Sequence, residues 1–189
     1  MRTRRSFGRL TAITLATAVA LSGCSNGSTH SDHASSEASD GAHAGMDHPM
    51  DGGPAPAGIT AAQEPTYPVG TQVMITADHM DGMTGATATI SGAFDTTAYA
   101  VSYTPTDGGE PVTDHRWVVQ EELQDPGAAP VADGTDVVIS ADHMPGMEGA
   151  HGTIDSSTDE TVYMVDYEAD GMSITHHKWV VESEVAPLG

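Results

Sequence analysis

Apolar and polar residues alternate along most of the chain after residue 66, with a period of two. Val73 and Ile75 are flanked by polar residues, and three further stretches show the same alternation: Ala86, Ala88 and Ile90; Tyr99, Val101 and Tyr103; Trp117 and Val119. Glycine-rich turns separate the stretches, and none has the 3.6-residue period of an amphipathic helix. A period of two places alternate side chains on one face of a strand, so the pattern predicts several short strands.

The pattern occurs twice because the chain contains an internal repeat. His79 recurs 64 residues later as His143, and the Tyr-x-Val-x-Tyr run recurs at the same spacing. The His-Arg-Trp and His-Lys-Trp runs are 62 residues apart, so the second repeat is two residues shorter. We place the repeats at 66–123 and 130–185, joined near Asp125-Pro126-Gly127.

Each repeat has four or five predicted strands in about 58 residues, which favours a small, strongly curved barrel of the SH3-like type. A small open antiparallel sheet has the same periodicity and is the alternative. A unit of this size has a marginal core on its own, so packing of the repeats against each other would be favourable. The sequence therefore predicts an all-β fold with two tandem small barrels.

The segment before the repeats predicts export and a lipid anchor. Four arginines precede the apolar run Leu10–Leu21, which is too short to span a bilayer and is typical of a signal peptide over 1–23. Leu21-Ser22-Gly23-Cys24 fits a lipobox, which predicts lipidation of Cys24 and a place at the extracytoplasmic face of the cell membrane. An ordinary signal peptide is the alternative, and Arg4-Arg5 leaves Sec or twin-arginine export open. Residues 24–65 lack large apolar side chains and predict a disordered tether.

Charge and cysteine content exclude several classes of function. Four of the six basic residues lie in the signal peptide, which leaves Arg116 and Lys178 against 27 acidic residues, a net charge near −25. Such a surface repels phosphate backbones, so nucleic-acid binding is not expected. Cys24 is the only cysteine, so a metal site has to use His, Met, Asp or Glu. No nucleophile or phosphate-binding motif is present, and we do not expect an enzyme.

The best candidate for chemistry is a loop that occurs in both repeats, Asp-His-Met-x-Gly-Met-x-Gly. Its imidazole and thioether donors suit Cu(I) or Ag(I) rather than Ca(II) or Mg(II). The glycines let the backbone fold back, and Asp78 and Asp142 could hydrogen-bond and orient the imidazoles. The alternative is a glycine turn whose methionines fill the core. The candidate metal ligands are His79, Met80, Met83, His143, Met144 and Met147.

Two further features hold secondary candidate ligands. The tether repeats the combination as Met46-Asp47-His48-Pro49-Met50, which a solvated linker of accidental composition also explains. His115 and His177 each stand two residues before a tryptophan. We consider two interpretations: a core tryptophan with a histidine at the rim, or a histidine that joins the His79 loop as another ligand.

The motifs V-G-T-x-V-x-I-x-A-D-H-M-x-G-M-x-G-A, T-x-Y-x-V-x-Y and H-[RK]-W-V-V follow a lipobox, and the repeat preserves them closely. In this the chain resembles the YdhK family of bacterial lipoproteins over nearly all its mature length. The resemblance implies two compact SH3-like or KOW-like barrels and a setting of copper handling. It implies no activity and assigns no site.

Two functional hypotheses follow. In the first, the protein is a surface-anchored lipoprotein that binds or buffers copper, as Cu(I), or silver through the repeated loops and hands it to a copper-handling envelope protein. In the second, it is an envelope interaction module without a metal role, which binds a peptide, a wall polymer or a membrane protein through exposed Trp117 and Trp179.

Overall fold

The structure is a computed structural model that describes residues 49–189. These residues belong to one compact unit. The predictions for the signal peptide, for lipidation of Cys24 and for Met46 and His48 concern residues outside the described part of the chain.

The described residues form ten β-strands and no α-helix, which confirms the predicted all-β class. Two 3₁₀ turns, Gln120–Glu122 and Glu182–Glu184, follow β5 and β9. No described helix is long and apolar enough to cross a membrane. The strands are β1 (Thr60–Ala61), β2 (Gln72–Ile75), β3 (Thr87–Asp95), β4 (Ala98–Tyr103), β5 (Val112–Val119), β6 (Asp136–Val138), β7 (His151–Thr158), β8 (Val162–Ala169), β9 (Met172–Val181) and β10 (Val185–Pro187).

The strands form two antiparallel sheets, and each sheet takes strands from both repeats. The six-stranded sheet has the order β10-β2-β3-β8-β9, with β1 also paired to β3. The four-stranded sheet has the order β5-β4-β7-β6. Across the repeats, β3 pairs with β8 so that Ile90 lies opposite Val165, and β4 pairs with β7 so that Val101 lies opposite Ile154. The two small β units are present, but the repeats exchange halves.

This exchange differs from the expectation that residues 66–123 and 130–185 would each close on themselves. The alternating pattern is equally compatible with both arrangements, because β4 and β8 carry the same Tyr-x-Val-x-Tyr run. The turns decide between them. Only Thr96 and Thr97 separate β3 from β4, and neither has the positive φ that a tight two-residue hairpin usually needs. By contrast, Asp170 and Gly171 both have positive φ and close the β8–β9 hairpin.

Three buried clusters hold the fold together. One belongs to the six-stranded sheet and includes Val73, Ile90 and Tyr163, and a second belongs to the four-stranded sheet and includes Tyr99. The third lies where the sheets meet, and its residues come from β4, β5, β8 and β9. Its members are Ala98, Ala100, Trp117, Val119, Val162, Met164, Trp179 and Val181.

Candidate functional site

The two repeated loops fold alike as compact turns before β3 and β7. Their four glycines all have positive φ, between 72° and 82°, as the sequence predicted for a backbone that folds back. The amide of Met83 donates to the carbonyl of Met80 at 3.2 Å, and the amide of Met147 donates to that of Met144 at 3.1 Å. These turns fix which loop side chains point into the protein.

The second methionine of each loop is a core residue. Met83 and Met147 are completely buried among the apolar side chains of their respective sheets. For these two positions the packing interpretation fits the structure, because a thioether enclosed by hydrocarbon is not placed to meet an ion. We therefore remove Met83 and Met147 from the set of candidate ligands.

The histidine of each loop is held by a glutamate, a residue that was not predicted from the sequence. Nε2 of His79 lies 2.7 Å from Oε1 of Glu184, and Nε2 of His143 lies 2.8 Å from Oε1 of Glu122. Asp78 and Asp142, which were expected to orient the imidazoles, are instead exposed. The signal was available in the repeat, since both glutamates stand five residues after a tryptophan.

Each glutamate also receives a hydrogen bond from a tryptophan of the other sheet. The indole N–H of Trp117 donates to Glu184 Oε2, and that of Trp179 donates to Glu122 Oε2, both at 2.9 Å. Backbone amides of Val181 and Val119 donate to the same oxygens at 3.1 and 3.2 Å. Two equivalent His–Glu–Trp chains therefore tie the sheets together.

The charge state of the glutamates determines which imidazole nitrogen is protonated. Burial opposes ionisation of Glu122 and Glu184, but the neighbouring histidine charge and the hydrogen bonds from histidine, tryptophan and backbone outweigh it, so the pKa of both carboxyls lies below its usual value. An ionised carboxylate only accepts hydrogen bonds, so Nε2 of each histidine carries a proton. In the neutral imidazole, Nδ1 then carries the lone pair.

The Nδ1 atoms of His79 and His143 are the most unusual polar atoms of the loops. Both are buried, and neither has a hydrogen-bond partner among residues 49–189. The buried side-chain nitrogens of most proteins are satisfied by hydrogen bonds, so two equivalent exceptions call for an explanation. Each marks a place where a ligand could accept a lone pair.

The first methionine of each loop stands beside the histidine and is contacted by a tyrosine. The hydroxyl of Tyr167 lies 3.6 Å from Sδ of Met80, and that of Tyr103 lies 3.9 Å from Sδ of Met144. Burial raises the pKa of both tyrosines to about 12, so the hydroxyls stay protonated and neutral. Met144 belongs to the same buried cluster as Met147, and the partly exposed Met80 packs against the other cluster. Each of these two thioethers nevertheless has a polar hydroxyl beside its sulfur.

His115 lies beside the loop of the other repeat. Its ring centroid is 6.2 Å from that of His143 and 6.0 Å from that of Tyr103. One of the two interpretations placed His115 beside the His79 loop, and the structure places its ring beside His143 of the other repeat. His177 stands 5.6 Å from the ring of Tyr167, in the six-stranded sheet.

The tryptophans are structural in this arrangement. Trp117 is 8% exposed and Trp179 is fully buried, so neither forms an exposed aromatic platform. Arg116 and Lys178 lie over the indole rings, 5.5 and 6.0 Å from the ring centroids. These positions favour the interpretation of core tryptophans.

Acidic residues do not assemble a conventional metal centre here. Within the part of the chain that the structure describes, no group of three or more His, Cys, Asp or Glu side chains is placed to hold a metal ion.

Comparison with known proteins gives consistent results. The model of a family described as "Protein of unknown function (DUF1541)" matches twice, at residues 69–120 and 133–182. The uncharacterized protein YdhK of Bacillus subtilis is 46% identical over 173 residues, which cover 88% of this chain and 82% of that protein.

Solved structures of the same relative resemble the present fold. A crystal structure of YdhK, a DUF1541 family protein from Bacillus subtilis, matches with a TM-score of 0.71 and 48% identity over 74% of this chain and 98% of that chain. A solution structure of the YdhK C-terminal domain matches with a TM-score of 0.61 and 52% identity over 64% of this chain and 92% of that chain.

Proposed function

The chain belongs to the DUF1541 family, which confirms its predicted resemblance to YdhK, and we propose that it binds monovalent copper at two sites. One site is at His79 with Met80, and the other is at His143 with Met144. The observation that carries the proposal is the pair of buried Nδ1 atoms without a hydrogen-bond partner among the described residues. Leaving such an atom unsatisfied costs about 1–3 kcal/mol, which a coordinated ion would offset.

The hydrogen bonds behind each imidazole support this proposal. Histidines that bind metals usually donate the N–H of the other ring nitrogen to a carboxylate, which fixes the ring and increases its basicity. Glu184 and Glu122 accept such a bond from His79 and His143. A purely structural histidine would need both nitrogens satisfied to be equally stable.

The donor set favours Cu(I), with Ag(I) as the second choice. Imidazole and thioether are ligands that soft ions prefer, and a thioether has no proton to lose in an acidic exterior. His115 places a further imidazole ring beside the second site. The observed separation from His143 is 6.2 Å.

The setting proposed for this activity is the outer face of the cell membrane, with the protein anchored by lipid on Cys24. From there it would buffer copper or deliver it to a copper-handling envelope protein. The activity is binding, without a catalytic step. The alternative of an interaction module is not carried further, because its tryptophan platform is buried.

A Cu(I) competition titration against a chromophoric chelator, under reducing conditions, tests the proposal on the chain from Ser25 onward. We expect two Cu(I) ions per chain. The decisive variants are His79→Gln and His143→Gln, since a glutamine amide can still donate to the glutamate but offers no lone pair in the place of Nδ1. Each variant should lose one ion, and the double variant should lose both.

Matched controls separate ligation from general damage. His151 is an exposed histidine in β7, so His151→Gln should retain both ions. Met83→Leu and Met147→Leu replace buried core residues with a side chain of similar volume and should also retain both. Failure of the unaltered chain to compete with the chelator, or full binding by the double variant, would refute the proposal.

A further inference from the structure

The chain before the first repeat lies against β9 and over one of the two sites. Met50 accepts a hydrogen bond from the amide of Thr175, and Gly52 donates one to the carbonyl of Thr175, both at 2.9 Å. Asp51 forms an ion pair with Nδ1 of His176 at 2.9 Å. We call residues 49–56 the strap.

Close backbone contact holds the strap in place. A Cβ atom added at Gly52 would lie 2.1 Å from the carbonyl oxygen of His176, so any other residue at that position would push the strap away from β9. The strap also contains Met50, which is 44% exposed. Strand pairing therefore presents this methionine at a defined place.

That place adjoins the loop that carries His143 and Met144. The strap covers a cavity of about 470 Å³ that is also lined by His143, Glu122 and His177. Met50 borders an adjoining hollow whose wall includes Met144. The imidazole of His143, with a side chain 5% exposed, is the buried group whose Nδ1 has no hydrogen-bond partner among the described residues.

Among residues 49–189, the strap has no equivalent at the His79 site. Residues 64 positions after the strap form β5, which lies in the four-stranded sheet and is not available to cover a loop. The isolated bridges of the described residues join Asp51 to Thr175 and Leu123 to Ile139, and none involves Thr113, the counterpart of Thr175. The internal symmetry of the repeat is therefore broken at this point.

We infer that Met50 supplies an additional thioether ligand to the His143–Met144 site, so that the two copper sites are unequal and the strapped one binds more tightly. This inference rests on the proposed function. The chemistry is that of a soft monovalent ion held by imidazole and two thioethers. The tether would thus contribute to one repeat only.

Two single-site backgrounds test the inference by Cu(I) competition. His79→Gln leaves only the strapped site, and His143→Gln leaves only the other. We expect Met50→Leu to weaken Cu(I) binding about tenfold in the first background, because the ion loses one thioether ligand and even the loss of a supporting group costs a metal site that much affinity. In the second background we expect binding to weaken by less than about twofold. Met172→Leu is the matched control, since Met172 is an exposed methionine of similar accessibility.

The position of the strap has its own readout, independent of copper. Gly52→Ala and Asp51→Asn together should release the strap, which would speed hydrogen exchange of the Thr175 amide and weaken Cu(I) binding in the His79→Gln background as much as Met50→Leu does. Equal effects of Met50→Leu in both backgrounds, or none in either, would overturn the inference and leave two-site binding intact. Loss of all Cu(I) binding in the unaltered chain would instead remove the proposed function together with it.

Discussion

The His79 and His143 sites are built from the same residues in the same order, but they differ in burial. The side chains of His143 and Glu122 are each 5% exposed, whereas those of His79 and Glu184 are 8% and 15% exposed. The hydrogen bonds that the glutamate accepts from histidine and tryptophan are nearly identical in length at the two sites. Duplication has therefore reproduced the hydrogen bonds of the site, whereas the deeper burial and the strap are found at the His143 site.

Both sites depend on the exchange of strands between the repeats. His79 and Glu184 come from different repeats, and so do His143 and Glu122. Each tryptophan that donates to these glutamates comes from the opposite sheet. Neither site can form within a single repeat, so a change that separates the repeats removes both sites. The loss of a single glutamate should instead cost more stability at one site than at the other.

Separating the repeats should have the largest effect. A fragment of residues 130–189 lacks β3 and β4, the strands that pair with β8 and β7. We therefore expect it to be unfolded as a monomer. Two copies could restore the exchanged pairing, so any folded material should be dimeric. Circular dichroism with light scattering checks this, and the intact chain is the control. A folded monomeric fragment would show that a repeat closes on itself.

The exchange illustrates what could and could not be predicted from the sequence. Period-two alternation identifies strands and the all-β class, because side-chain direction depends on local geometry alone. The strand that pairs with β3 cannot be predicted in this way, because β4 and β8 offer the same apolar residues. Only the absence of a turn residue at Thr96-Thr97 indicated that β3 and β4 would not form a hairpin.

The candidate site was predictable to a similar degree. The doubled loop identified His79 and His143, but the loop alone could not distinguish the methionine that faces the tyrosine from the one in the core. Glu122 and Glu184 were missed because they are more than 20 residues from the histidines they hold. Their equivalent positions in the repeats, five residues after tryptophan, are a signal that a search of the aligned repeats could use.

Removing one glutamate should have the next largest effect and should sharpen the comparison. Glu122→Ala leaves the indole N–H of Trp179, an amide and His143 without their acceptor in a buried place, which costs about 3–5 kcal/mol of unfolding free energy. Glu184→Ala should cost about 1–3 kcal/mol less than that, because water reaches its site more easily. Urea unfolding of both variants measures the two costs.

The exposed residue Glu148 provides the control for these variants, and Glu148→Ala should change the unfolding free energy by less than about 0.5 kcal/mol. Equal costs for Glu122→Ala and Glu184→Ala would show that the difference in burial between the sites has no energetic consequence.

The smallest effect is expected in acid and concerns the same carboxyls. Their pKa is lower in the folded protein than the usual 4.5, so the unfolded chain binds protons more readily. A group of this kind stabilises the fold fully above the unfolded pKa, and its contribution is lost as the pH falls through the folded pKa. Glu122→Gln, which keeps the shape but cannot ionise, should therefore be less stable than the unaltered chain at pH values above the unfolded pKa of 4.5. This difference in unfolding free energy should narrow as the pH falls below 4.5. The difference between Glu184→Gln and the unaltered chain should narrow over the same pH range. Urea unfolding at a series of pH values measures the gap, and one that stays constant down to pH 3 would mean that the carboxylate charge does not stabilise the His–Glu–Trp chain.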